Sequence, residues 1–110
     1  MTAPHERPTA SAEAAGLAAR LAALIPILET ERCRLRAPRI EDFAAHAEIA
    51  CSDRGRGIGG PMDRTDAWAD FMQLCGTWLL RGPGAWTVED KAGGGVLGFV
   101  LIGFEPGDLD

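Results

Sequence analysis

Between residues 32 and 37 the chain reads Arg32-Cys33-Arg34-Leu35-Arg36-Ala37, charged and apolar in strict alternation, followed by Pro38. A period of two belongs to a β-strand, since a helix would scatter both sets around its circumference. The alternation predicts a half-buried strand, with Cys33, Leu35 and Ala37 toward the core and the arginines on a solvated basic face. Pro38 cannot donate to a ladder and ends it. Beyond it, Ile40, Phe43, Ala44, Ala47, Ala50 and Cys51 recur at helical spacing, with Glu41 and Asp42 favourable in the first turn, so a helix is expected over 40–51.

On either side the pattern changes. Residues 1–9, with Pro4 and Pro8, read as a frayed leader. Residues 10–25 are Ala-rich with Leu17, Leu21 and Leu24 at helical spacing, so a helix capped by Ser11 is expected to stop before Pro26. Residues 1–26 are therefore a flexible leader and helix, and residues 27–110 the domain. Ser52 to Met62 is a glycine-dense loop, after which Asp63 caps a second helix of the domain. Its stripe of Ala67, Phe71, Leu74, Cys75 and Trp78, widened by Trp68, Met72 and Leu79, predicts a largely buried helix that Gly82-Pro83-Gly84 terminates. A strand over 85–89, a glycine hairpin with positive backbone angles over 90–95, and an apolar strand over 96–104 buried on both faces complete the order. The fold class is α/β, in the α+β sense of a mixed sheet with helices.

The length of 110 residues allows one domain, and 46% hydrophobic with 25% charged residues allows it a core. A net charge of -5 argues against a general nucleic-acid or anionic-membrane binder. The longest apolar run, around Val96 to Phe104, falls far short of the roughly 20 residues that span a bilayer, so a soluble protein is expected. Nothing at the amino terminus has the layout of a secretory signal, and Cys33, Cys51 and Cys75 are too few and too far apart for a disulfide framework or a metal knuckle. Buried reduced thiols and a cytoplasmic location follow as expectations.

Few residues advertise chemistry. Arg54-Gly55-Arg56-Gly57-Ile58-Gly59 satisfies R-x-x-G-x-G, but a pyrophosphate cradle needs a strand before it and a helix opening from it, and neither is expected here. A loop lining a substrate pocket suits this segment better. His46 has no second histidine at metal-binding spacing and reads as a surface or helix-packing residue, and no G-x-S-x-G elbow is present. Glu89 and Asp90, beside a turn, read as solvated acids. Trp78 belongs to the core stripe, whereas Trp86 either packs or lines a groove.

Taken in order, Leu28-Glu29-Thr30-Glu31-Arg32-Cys33-Arg34-Leu35-Arg36-Ala37-Pro38, Glu41-Asp42-Phe43, Ile58-Gly59-Gly60-Pro61, Ala67-Trp68, Gly84-Ala85-Trp86-Thr87-Val88-Glu89 and Val96-Leu97-Gly98-Phe99-Val100 resemble the GNAT N-acetyltransferase superfamily, in its ribosomal-protein and small-molecule branch. The likeness covers about three quarters of the chain. It implies the amino-terminal half of a GNAT fold preceded by an extra helix, and transfer of acetyl from acetyl-CoA to a primary amine. The same resemblance places the family's pyrophosphate loop and its tyrosine general acid beyond the matched strands, and this chain holds no tyrosine. A domain truncated before its acetyl-CoA site, weak or inactive alone, is expected, with no catalytic, cofactor-binding or metal residue assigned. Arg54, Met62 and Trp86 are the positions expected on the acceptor side. The alternative is a non-catalytic half-domain that pairs through its open sheet edge with itself or a partner, since an unpaired apolar strand invites association.

Overall fold

The computed structural model describes residues 4–7, 11–52 and 61–101. Helix α1, Ala12–Ala23, leads into a short strand β1, Leu28–Glu29, then β2, Cys33–Arg36. A 3-10 turn at Ile40–Asp42 runs into α2, Phe43–Ala50. Helix α3, Arg64–Arg81, is followed by β3, Ala85–Asp90, and β4, Val96–Leu101. The strands form one sheet in the order β1-β2-β3-β4, each neighbouring pair antiparallel.

Local chemistry sets the boundaries. Ser11 accepts a bond from the Ala14 N–H at 3.2 Å, and Asp63 accepts one from Asp66 at 2.8 Å, so both expected caps are present. Gly82, at φ 95°, ends α3 in a conformation that a side chain would disfavour. In the β3–β4 hairpin Gly94 takes φ 76°, and its N–H donates to the Asp90 carbonyl at 2.7 Å. Strand β1 is an addition to the expected order. The Thr30 hydroxyl accepts from the Cys33 N–H at 3.0 Å and closes a turn tight enough to fold Leu28 and Glu29 back onto Leu35 and Arg34.

The basic face of β2 is solvated only at its start: Arg32 is exposed and Arg34 keeps 42% of its side chain in solvent, whereas Arg36 turns toward the helices. Arg36 is only 6% exposed. Its guanidinium donates to both Asp42 carboxylate oxygens at 2.9 and 3.0 Å, to Glu89 at 2.9 Å and to the Ala37 carbonyl at 3.1 Å. Asp42 also accepts from the Arg39 N–H and the Thr87 hydroxyl, both at 2.8 Å. Arg34 bridges Glu89 and Glu29 at 3.1 Å each. Glu89, read as a solvated acid, therefore joins β3 to two arginines of β2. On the same face Phe99 packs on a core of Phe43, Ala47, Ala50, Ala67 and Phe71, contributed by α2 and α3. Cross-strand neighbours of the opposite face, Leu28, Leu35 and Val88, are half-buried or exposed.

One helix and one strand depart from expectation in burial. Only Ala67 and Phe71 of α3 are buried, whereas Met72 and Leu79 are exposed, because the carboxy-terminal half of α3 borders an open cleft rather than the core. No residue of α1 is buried. Strand β4 is described to Leu101, and Leu97, Val100 and Leu101 are exposed, so within the described residues it is not covered on both faces. Residues 102–104 of the expected strand lie outside the described residues. The leader, by contrast, is docked at residues 4–7: Glu6 is buried and takes three bonds from Arg64 at 2.7–3.1 Å.

Close approach explains one glycine. A Cβ at Gly84 would lie 2.7 Å from the Trp78 ring and 2.9 Å from its backbone nitrogen. The contact cannot be relaxed by the indole alone, since the Trp78 N–H is tied to the Ala85 carbonyl at 2.7 Å. Gly84→Ala is expected to destabilise the chain by about 1–3 kcal/mol, read as a lower urea midpoint with the slope unchanged.

The arginine network also makes stability depend on pH. Burial pushes the Asp42 carboxyl up, but Arg36, the Arg39 N–H and Thr87 outweigh it and leave its pKa below the ordinary value. Bonding to Arg36 lowers that of Glu89 likewise. Unfolded, such carboxyls titrate near pH 4, where the unfolded chain binds more protons than the folded one, so stability rises with pH through this interval. The contribution is complete above about pH 5 and is lost as pH falls through the depressed folded values. Urea midpoints between about pH 2 and 6 should show this loss, and Asp42→Asn should shallow it while costing on the order of 3 kcal/mol at neutral pH, because Arg36 keeps a buried charge with one partner fewer.

Candidate functional site

The three positions expected on the acceptor side part company. Arg54 lies outside the described residues, as does the whole R-x-x-G-x-G segment. Met62 stands just before the cap of α3, partly buried against the α2–α3 core, and its N–H donates to the Ala50 carbonyl at 2.8 Å. That bond ties the end of the glycine-rich loop back to the last turn of α2. Trp86, at 6% exposure, donates its indole N–H to the Pro26 carbonyl at 2.9 Å and meets Trp78 edge to face at 4.8 Å. Of the two readings open for Trp86, its surroundings are those of a packing residue that anchors the segment after α1.

Around Met62 the structure assembles groups that no sequence spacing links. Arg64, in the first turn of α3, lies with its guanidinium 5.1 Å above the Phe43 ring while it holds Glu6. The attraction of a cation for an aromatic face adds to the ion pair. Hydrogen bonding to Arg64 lowers the Glu6 pKa, and bonding to Glu6 raises that of Arg64, so the pair stays charged. His5 meets Trp68 edge to face at 4.8 Å. The amino-terminal turn therefore sits beside the entry to α3, a contact 58 residues apart in sequence that a pattern search cannot find.

His46 is a helix-packing residue, one of the two readings its position allowed. It is 3% exposed, between Phe71 at 5.6 Å and Phe99 at 5.5 Å. Asp70 Oδ2 approaches Nε2 to 3.0 Å, yet that nitrogen has no aligned hydrogen bond. The pair links α2 to α3, His46 buried and Asp70 partly exposed. Of the cysteines, all free, Cys51 is exposed and Cys33 and Cys75 are half-buried, which corrects the expectation of three buried thiols. Burial, and secondarily the Asp42 charge, pushes the Cys75 thiol up to about 12, which keeps it protonated and a poor nucleophile at neutral pH.

Among the described residues no group of three or more His, Cys, Asp or Glu side chains could hold a metal ion, and no helix is long and apolar enough to cross a membrane.

No protein-family model matches the sequence, and no curated protein does. Solved structures do. An acetyltransferase from Agrobacterium tumefaciens str. C58 superposes with a TM-score of 0.69 at 34% identity, over 74% of this chain and 48% of that one. A protein from Bordetella pertussis assigned to the GnaT acetyltransferase family superposes with a TM-score of 0.64 at 18% identity, over 76% of this chain and 51% of that one. The chain thus spans about half the length of these acetyltransferases. With its antiparallel sheet backed by α2 and α3, this chain carries part of the GNAT acetyltransferase fold.

Proposed function

We propose that this chain belongs to a protein that transfers an acetyl group from acetyl-CoA to a primary amine in the cytoplasm, and that the described residues supply the acceptor-side framework. One observation carries the reading: 34% identity to an acetyltransferase over 74% of the chain, on a shared backbone. In such a transfer the free amine attacks the thioester carbonyl, the carbon–sulfur bond breaks, and the amine's proton leaves while the thiolate is protonated. Orientation of two substrates accounts for much of the rate, so a rigid framework is itself catalytic equipment. The Arg36–Asp42–Glu89 network and the Met62–Ala50 bond provide that rigidity.

On this reading Arg54 and Met62 border the acceptor, while Trp86, packed on Trp78 and bonded to the Pro26 carbonyl, holds the segment after α1. The acetyl-CoA site draws mainly on residues outside the matched half, so the isolated chain binds the cosubstrate weakly. The outer edge of β4, paired only with β3 among the described residues, is where the isolated chain associates with itself.

Three measurements test this. The melting midpoint of the 110-residue chain is expected not to move with acetyl-CoA, whereas a rise of several degrees would show that the cosubstrate site is already present. Residues 28–101, grafted in place of the matching segment of the Agrobacterium acetyltransferase, should give a folded chimera that releases free CoA with amines its parent acetylates. A folded chimera that binds acetyl-CoA and acetylates none of them would refute the acceptor-side assignment. Sedimentation of the isolated chain should show concentration-dependent association, and a monomer at high concentration would count against the β4 edge.

A further inference from the structure

One carboxylate of this chain is held as a ligand would be. Glu6 belongs to a single 3-10 turn, Pro4–Glu6, which a long bond from the Arg7 N–H to the Pro4 carbonyl closes at 3.3 Å. Side chains fasten this turn to the domain: His5 meets the Trp68 ring, and Glu6 takes the Arg64 guanidinium. Arg64 Nε donates to the two Glu6 oxygens at 3.1 and 3.0 Å, and its Nη2 donates at 2.7 Å. The Glu6 side chain is left 4% exposed.

The receptor for that carboxylate is built without the turn. Arg64 rises from the first turn of α3 with its guanidinium 5.1 Å above the Phe43 ring of α2, and Phe43 meets Trp68 of α3 edge to face at 5.0 Å. Phe43 belongs to the buried α2–α3 core and Trp68 packs against it. Lifting the turn away removes none of these contacts. Arg64 keeps 49% of its side chain in solvent, so a free anion can reach its guanidinium once Glu6 leaves.

We propose that Arg64, above Phe43 and beside Trp68, is a binding subsite for a small organic carboxylate, and that Glu6 occupies it in cis as a competitor. The structure supplies the occupant's chemistry: a planar anion on a short aliphatic stem, both oxygens bonded to one guanidinium. Such a fork matches a carboxylate in geometry and balances it charge for charge. A phosphate would bring further negative charge, and the other cation near Glu6, His5 at 3.8 Å, leaves with the turn. A free ligand is weakened by the fraction of chains in which the site is open, so Glu6 acts as a threshold on its binding. Nothing in this subsite depends on acetyl transfer.

The test titrates sodium propionate, which is the Glu6 side chain without its backbone, at ionic strength held constant with sodium chloride, and follows the Trp68 indole N–H by NMR. Glu6→Ala, checked as folded by its own cooperative melt, should bind propionate saturably and at least about tenfold more tightly than the unaltered chain. Adding Arg64→Gln should abolish that binding. If Glu6→Ala does not melt cooperatively, Glu6→Gln, which keeps the stem packed, is read with the same expectation. On the unaltered chain, saturating propionate should remove the nuclear Overhauser contact between the His5 and Trp68 rings. No saturable binding to a folded Glu6 variant, or binding that Arg64→Gln leaves unchanged, would overturn the subsite. Equal affinity with and without Glu6, or a ring contact that survives saturation, would overturn the competition, and equally tight binding of inorganic phosphate would overturn the choice of a carboxylate.

Discussion

A guanidinium cannot leave water unless fixed negative charge and hydrogen-bond acceptors replace what it loses, and burying Arg36 is the condition on which this arrangement of sheet and helices rests. Asp42 arrives from the turn before α2, Glu89 from the neighbouring strand, and the Ala37 carbonyl from the strand's own end. Each partner is fixed by something else. Asp42 holds the Arg39 N–H, which shapes the turn into α2, and the Thr87 hydroxyl, which belongs to β3. The network therefore sets the β2–β3 register and the approach of α2 at once. Its value lies more in specifying one docking geometry than in net energy, since an apolar substitute of equal volume would avoid the desolvation of several charges.

Once the charged face is turned inward, the rest of the sheet follows. Phe99 shares that face with Arg36 and Thr87 and completes the aromatic packing of Phe43, His46 and Phe71. The helices thus cover a face that is polar at β2 and aromatic at β4. Leu35 and Val88, on the other face, are left half-buried. Among the described residues β4 pairs only with β3, so the sheet ends on that strand.

Most of the element order was legible because it rests on local rules. Ser11 and Asp63 cap their helices, Gly82 and Gly94 take positive φ, and the period-two run is β2. What failed was sidedness. Alternation fixes that Arg34 and Arg36 share a face, but which face is inner depends on Glu89, more than fifty residues away. Strand β1, two residues long, is too short to show a period at all. For α3 the apolar stripe was read correctly and its burial was not, since a stripe says what a helix can bury and not whether a neighbour arrives. At the candidate site, sequence position alone does not tell a packing Trp86 from a groove-lining one, because that depends on Pro26 and Trp78, and the Glu6–Arg64 pair shows in no pattern because its members lie 58 residues apart.

Helix α1 shows how stability is distributed. Twelve residues are about the length at which an isolated helix is marginal in water, even when Ala-rich. It has its Ser11 cap and no buried residue, and Trp86 secures the chain just beyond it through the Pro26 carbonyl. One end is therefore anchored while the leucine stripe remains solvated, with Leu17 and Leu21 about half exposed. The burial that α1 lacks lies across the cleft from α3, and Ala37 and Pro38, next to Arg36, line that cleft, so the charged network and the unfilled apolar surface share one wall.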